Sequence, residues 1–174
     1  VYAQVDGVEQ RLVDLSLSLR PVHGYKTLFV EWLAMQDPRV PFTPGRPRLP
    51  GQEAPGLGIA AEVTQVLVRL AERLSLAGIC LVPALYHIAW MLRERYVIVD
   101  PVARGRFLAM QAHLRGTPLA EASRRLAEPG LATETGERLF WVPTPMVLPL
   151  APTLAARLAE DDAQAARVAE EVLD

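Results

Sequence analysis

The sequence predicts an α/β fold of the α+β kind: a mixed, mostly antiparallel sheet flanked by helices, with extra helices at the C-terminal end. Three observations carry that expectation. Strand-like apolar residues, alternating from Val13 to Leu19, fill the first 35 positions, prolines interrupt residues 37–55, and from residue 60 onward apolar residues recur at three- and four-residue spacing. Period two belongs to strands and period 3.6 to helices, so a strand meander is followed by alternating helix and strand.

Residues 1–20, VYAQVDGVEQRLVDLSLSLR, carry a hairpin signal. Asp6-Gly7 supplies the positive-φ turn that a two-residue hairpin needs. In the second arm Val13, Leu15, Leu17 and Leu19 alternate with Asp14, Ser16 and Ser18, which predicts one buried and one wet face. YKTLFVEWLAM, residues 25–35, reads as a third, more fully buried strand. Pro38, Pro41, Pro44, Pro47, Pro50 and Pro55, with Gly45 and Gly51 among them, make 37–55 a long, stiff loop. Such a loop is either functional or a plain surface insertion.

A helix at about 60–75 is expected to pack through Val63, Val66, Leu67, Leu70 and Leu74. Gly78 closes it, ICLVPAL follows as a strand, YHIAWMLRER returns to helical spacing, and YVIVD is a strand ended by Asp100-Pro101. Residues 103–128 hold one or two helices divided around Gly116-Thr117-Pro118. RLFWVP and MVLPL are late strand candidates. Residues 152–173 form an alanine-rich helix with the stripe Leu154, Leu158, Ala165, Val168 and Val172. Glu160-Asp161-Asp162 is expected to face water there, at a break between two shorter helices.

At 174 residues the chain forms one globule, read as a core over 1–100 and a helical extension over 101–174. A net charge of −2 and a pI near 6.0 give no reason to expect nucleic acid or an anionic membrane as partner. No apolar run reaches membrane-spanning length and no signal peptide is visible, so a cytoplasmic location is expected. The chain opens on a strand rather than on Met, which suggests a piece of a longer protein. Cys80, alone in GICLV, reads as a buried structural thiol. His23 and His113 lack acidic or Cys partners at ligand spacing, so no metal is expected. Arg104 and Arg106 read as surface arginines beside a helix start, with phosphate or carboxylate binding as the alternative.

The text from Pro55 to Asp100, and the order of elements around it, resembles the acyl-CoA-binding half of the GNAT N-acetyltransferase superfamily. In that family three antiparallel strands precede a turn of pattern Arg/Gln-x-x-Gly-x-Gly/Ala that opens a helix. A strand, a helix of pattern Asn-x-x-Ala-x-x-Leu-Tyr and a further strand follow. PGLGIA puts Gly58 at the required glycine and Ala60 at the small residue, and Ala89 and Leu92 match on the second helix. Pro55 replaces the Arg or Gln, Tyr86 the Asn and Arg93 the Tyr. The family's first two helices have no counterpart.

The resemblance implies that backbone N–H groups of the turn grip the pyrophosphate of acetyl-CoA or another acyl-CoA. Glycines allow close approach, and a helix N-terminus offers free donors and a positive dipole end. The cofactor-binding residues would be Gln52, Gly56, Leu57, Gly58, Ile59 and Ala60. The alternative is a helix start that needs positive φ and nothing more. Glu31, on a predicted strand, is a general-base candidate, or else points to a solvated face. His87 is a catalytic candidate, or else a partly exposed histidine at a helix start. The function implied is acyl-CoA-dependent N-acyl transfer to a small-molecule or peptide amine. The alternative is a GNAT-like module that has lost catalysis and binds a ligand or a protein. The C-terminal helix permits a homodimer.

Overall fold

The structure, a computed structural model, describes residues 1–5, 7–127, 130–132, 136 and 138–173. The chain opens with the hairpin β1 (Tyr2–Val5) and β2 (Val8–Arg11), followed by β3 (Val13–Val22) and β4 (Tyr25–Met35). After a long loop come α1 (Ala60–Arg73), β5 (Gly78–Leu81), α2 (Tyr86–Leu92) and β6 (Val97–Ile98). Then follow α3 (Pro101–His113), α4 (Leu119–Arg125), the short pair β7 (Leu131–Ala132) and β8 (Arg138–Leu139), β9 (Met146–Pro149), α5 (Pro152–Ala159) and α6 (Asp162–Leu173). The main sheet runs β3-β4-β5-β9-β6. Within it β4 and β5 are parallel and the other neighbours antiparallel. The fold is thus mixed α+β with a mostly antiparallel sheet flanked by helices.

The opening hairpin departs from the expected continuous meander. β1 and β2 form a two-stranded sheet of their own, and the chain bends at Leu12 before β3 begins. The cause is local: Leu12 and Val13 are consecutive apolar residues, which one straight strand would send to opposite faces. The bend buries Leu12, whose N–H, with that of Val13, donates to the Val1 carbonyl. Gly7 has φ +79° as the turn requires, while Asp6 lies outside the described residues. A second tight turn, His23-Gly24 with φ +48° and +83°, joins β3 to β4 in the type I′ geometry that matches strand twist.

The β3–β4 ladder contains a bulge. Ser16 opposes Trp32 and Leu17 opposes Val30, which leaves Glu31 without a partner across β3. The extra residue shifts side-chain parity, so Leu28, Val30 and Leu33 all reach the main core. That core lies under α1 to α4 and includes Leu67, Ile79, Tyr86, Phe107, Leu126 and Met146. A second core on the opposite face joins Phe29, Cys80 and Val147 to Leu154 and Leu158 of α5. β3 stands at the edge, and for that reason Leu15 and Leu19 of the expected buried face are exposed.

α1 buries a stripe rotated from the expected one. Leu67 and Ala71 are buried, with Val63 and Leu70 packed beside them, but Val66 is 63% and Leu74 52% exposed. The small Ala71 faces inward, which lets the helix approach the sheet closely. In the C-terminal segment Leu154, Leu158 and Ala165 are buried and the helix breaks at Glu160-Asp161 as expected, but Asp161 pairs with Arg157 and Asp162 with Arg104 instead of simply facing water. Arg104 corrects its surface reading. It is buried on α3, donating from Nε to the Ile98 carbonyl and from its terminal nitrogens to the Leu158 carbonyl and the Asp162 carboxylate. No helix among the described residues is long and apolar enough to cross a membrane.

Two substitutions test this packing by chemical denaturation. Leu67→Ala should cost about 2–5 kcal/mol and Val66→Ala less than about 1 kcal/mol. Equal losses would mean that the buried stripe is misidentified. Gly105 of α3 faces α6 so closely that an added Cβ would stand 2.5 Å from the Ala165 carbonyl oxygen and 2.6 Å from Val168 Cβ. Gly105→Ala should therefore destabilise by about 1–3 kcal/mol, although alanine normally stabilises a helix interior relative to glycine. A gain in stability would refute the close α3–α6 approach.

Candidate functional site

The parallel ladder of β4 and β5 is short. It pairs Thr27 with Gly78, Leu28 with Ile79, Phe29 with Cys80 and Val30 with Leu81, and there it ends. β4 continues to Met35 with no strand of the described residues on that side. The chain leaving β5 turns away through Val82 and the buried Pro83 into α2. An opening thus forms at the carboxyl ends of two parallel strands, where the neighbouring pairings are antiparallel. In open sheets such a point, where strand connections diverge, is a favoured place for ligands.

The proline-rich loop touches both sides of this opening. On the β4 side, Asp37 N–H donates to the Pro55 carbonyl at 2.7 Å, and an added Cβ on Gly56 would sit 3.6 Å from the Met35 oxygen. On the β5 side, an added Cβ on Gly51 would come within 2.8 Å of Leu85 Cδ1, at the N-cap of α2. The loop therefore presents the turn Pro55–Ile59, and with it the start of α1, at the end of β4.

Gly58 takes φ +77° with open space around it, so backbone conformation, not crowding, is what demands glycine there. Ile59 is the N-cap of α1 and provides no side-chain cap. None of the backbone N–H groups from Gly56 to Glu62 has an acceptor among the described residues. Gly58 through Glu62 are exposed. Free donors at a helix start form an anion-binding arrangement, although Glu62 in the first turn already meets part of the dipole.

A guanidinium stands against the turn. Arg46, from the loop, donates from Nη2 to the Gly56 carbonyl at 2.5 Å. Sequence reasoning missed it because Arg46 is ten residues from Gly56 and the intervening prolines give no periodicity to follow. Gln52 is less free: its side-chain oxygen accepts from Leu49 N–H at 3.1 Å and its carbonyl from Arg48 Nε at 2.6 Å. Leu57 is half-buried, and Ile59 and Ala60 face solvent.

Glu31 and His87 belong to separate networks. Glu31 is the bulge residue, one position past the last β4–β5 pair. Its Oε1 accepts from Ser18 Oγ at 2.5 Å and from Arg20 at 2.6 Å, and its Oε2 from Arg20 at 2.7 Å. Arg20 also lies 4.0 Å over the Phe29 ring. The Ser18 hydrogen bond, then Arg20, holds the Glu31 carboxyl below its ordinary pKa of 4.5, so it is ionised and a weak base at neutral pH. His87 is 3% exposed, with Nδ1 3.0 Å from Ser123 Oγ, and burial lowers its pKa. It is a neutral buried histidine at pH 7. Cys80 is 1% exposed and its thiol is pushed up to about 11 by burial, which leaves it inert. Arg93, where the GNAT pattern has Tyr, lies 3.7 Å over the Trp90 ring and pairs with Glu94 at 3.0 Å. Among the described residues no group of three His, Cys, Asp or Glu is placed to hold a metal.

A carboxyl with a depressed pKa stabilises the folded state above its unfolded value and loses that contribution as pH falls through its folded value. In an NMR titration Glu31 should therefore have its midpoint below 4.5, and Arg20→Ala should move it upward. A midpoint at or above 4.5 with Arg20 present would contradict the observed pairing.

Comparison with family models, with curated proteins and with solved structures finds no match to this chain, so fold and site rest on the geometry described here.

Proposed function

We propose that this chain is a divergent GNAT-like protein that binds an acyl-CoA at the turn Gly56–Glu62 and is built to present its thioester to a small-molecule or peptide amine. One observation carries the reading. A run of unpartnered backbone N–H groups at the start of α1, with the Arg46 guanidinium against it, stands at the opening between β4 and β5. Pyrophosphate is the group that such a site suits, since a guanidinium and aligned N–H donors match its oxygens. The unpaired edge of β4 offers further backbone donors and acceptors to an extended amide-bearing arm. A cytoplasmic location accompanies this reading, because acyl-CoA is met there. Transfer would depend on positioning and on backbone donors to the thioester oxygen.

A second reading, ligand binding without turnover, has its own support. Glu31 is occupied by Ser18 and Arg20, His87 is buried, and Arg93 replaces a proton-donating Tyr. Both readings require binding; only the first requires thiol release.

Isothermal titration with CoA and with acetyl-CoA should show binding that Gly58→Glu abolishes and that Arg46→Ala weakens about tenfold, the effect of one charge-assisted hydrogen bond. No binding at millimolar ligand would sink the acyl-CoA reading and leave a module for another ligand or a protein. Thiol release from acetyl-CoA with a panel of amines then separates the two readings, since a binding module leaves the thioester intact.

A further inference from the structure

A cleft of about 520 Å³ lies between α2 and the α3–α4 corner and shares no residue with the turn. Its volume falls in the range of small-molecule sites, roughly 300–1,000 Å³. α2 contributes Tyr86, Trp90 and Arg93, and the corner contributes Gln111, Arg115 and Thr117, with leucine, alanine and Gly116 filling the rest. Tyr86 is 2% exposed and packs edge-on against Phe107 and Trp141, at centroid distances of 5.7 and 6.2 Å, so that wall is held from behind.

Two guanidiniums and no carboxylate of the described residues line the cleft, and of the two only Arg93 is ion-paired, to Glu94 at 3.0 Å outside the lining. Arg93 is fixed by stacking on Trp90, by its bond to the Trp90 carbonyl at 2.6 Å and by Glu94. Arg115 is exposed, and its side chain has no hydrogen bond or ion pair among the described residues. The corner that carries it is ordered by Arg115 N–H to the Ala112 carbonyl and Thr117 N–H to the Leu114 carbonyl, with Gly116 at φ +81°. An oriented guanidinium, an unpaired one, an amide and a hydroxyl beside aromatic and aliphatic walls form a polar head site with an apolar trough.

We propose that this cleft binds a small amphiphile with an anionic head, carboxylate or phosphate, whose head meets Arg115 and Arg93 and whose apolar body lies along Trp90 and the leucines. The planar fork of arginine accepts either head in two-point contact, so the shared chemistry is a multi-oxygen anion on an apolar stem. This site does not depend on the turn and stands or falls separately from acyl-CoA binding.

The test is titration of the whole chain with octanoate, octyl phosphate and octylamine, followed by amide and indole NMR shifts. Octanoate or octyl phosphate should shift the Trp90 indole and the Arg115 to Thr117 amides, and octylamine should not. The stronger of the two anions identifies the source of the head group. Arg115→Ala, at an exposed position, should weaken binding about tenfold. Ala112→Trp, also exposed, should fill the trough and abolish binding while circular dichroism stays unchanged. Gly58→Glu should leave it intact, which separates this cleft from the turn. No shifts at millimolar anion, equal binding of octylamine, or indifference to both cleft variants would overturn the proposal.

Discussion

The four-residue parallel ladder between β4 and β5 is the constraint on which the rest of the molecule is arranged. Parallel neighbours cannot be joined by a tight turn, so a crossover is obligatory, and here the long loop and α1 supply it. The ladder is short for identifiable reasons. Pro83 has no N–H with which to continue it, and the Glu31 bulge re-aims β4 one residue past the last pair. Pro83 is held by its carbonyl, which accepts the Trp141 indole N–H at 3.1 Å. At the other end Gly78 admits β9: an added Cβ there would stand 2.7 Å from the Leu148 oxygen and 3.2 Å from Leu154 Cδ2. One glycine thus allows both the place of β9 beside β5 and the seat of α5 beneath it.

The C-terminal helices are joined to that sheet by a buried cation. A guanidinium taken out of water is costly unless its donors are met, and Arg104 meets them with the Ile98 and Leu158 carbonyls and the Asp162 carboxylate. Leu158 sits in the last turn of α5, where free carbonyls and the negative dipole end favour a cation. The break between α5 and α6 therefore has a positive cause, because it frees a carbonyl for Arg104 and brings Asp162 to the same group. Next to it, Gly105 lets α6 lie against α3 without an intervening side chain.

Elements with strong periodicity could be read from the sequence. The 25–35 strand, the helix from residue 60 and the broken tail helix each rest on apolar spacing that no other structure satisfies. What escaped reading was set by neighbours distant in sequence. Nothing local says that β9 lies between β5 and β6, that α1 turns Ala71 inward in place of Val66, or that Arg104 is buried. The bulge at Glu31 was hidden because its strand is apolar on both sides of it, so a shift of parity leaves no mark on the pattern. At the turn the glycine positions were legible and Arg46 was not, since its contact closes across a loop of prolines.

The candidate bases and the uncommitted donors differ in what they have left to give. Glu31 spends both oxygens on Ser18 and Arg20, and its pKa moves away from neutrality, whereas a base for an ammonium group works best with a pKa near the ambient pH. His87 spends Nδ1 on Ser123 beneath the surface. The backbone donors of Gly56 to Glu62 and the guanidinium of Arg115 have no such commitment within the described residues. Of these groups, the two proton acceptors are engaged and the uncommitted ones are donors. On the proposed acyl-CoA reading, a proton that moves during transfer would therefore be carried by the ligand, the acceptor or water, not by Glu31 or His87.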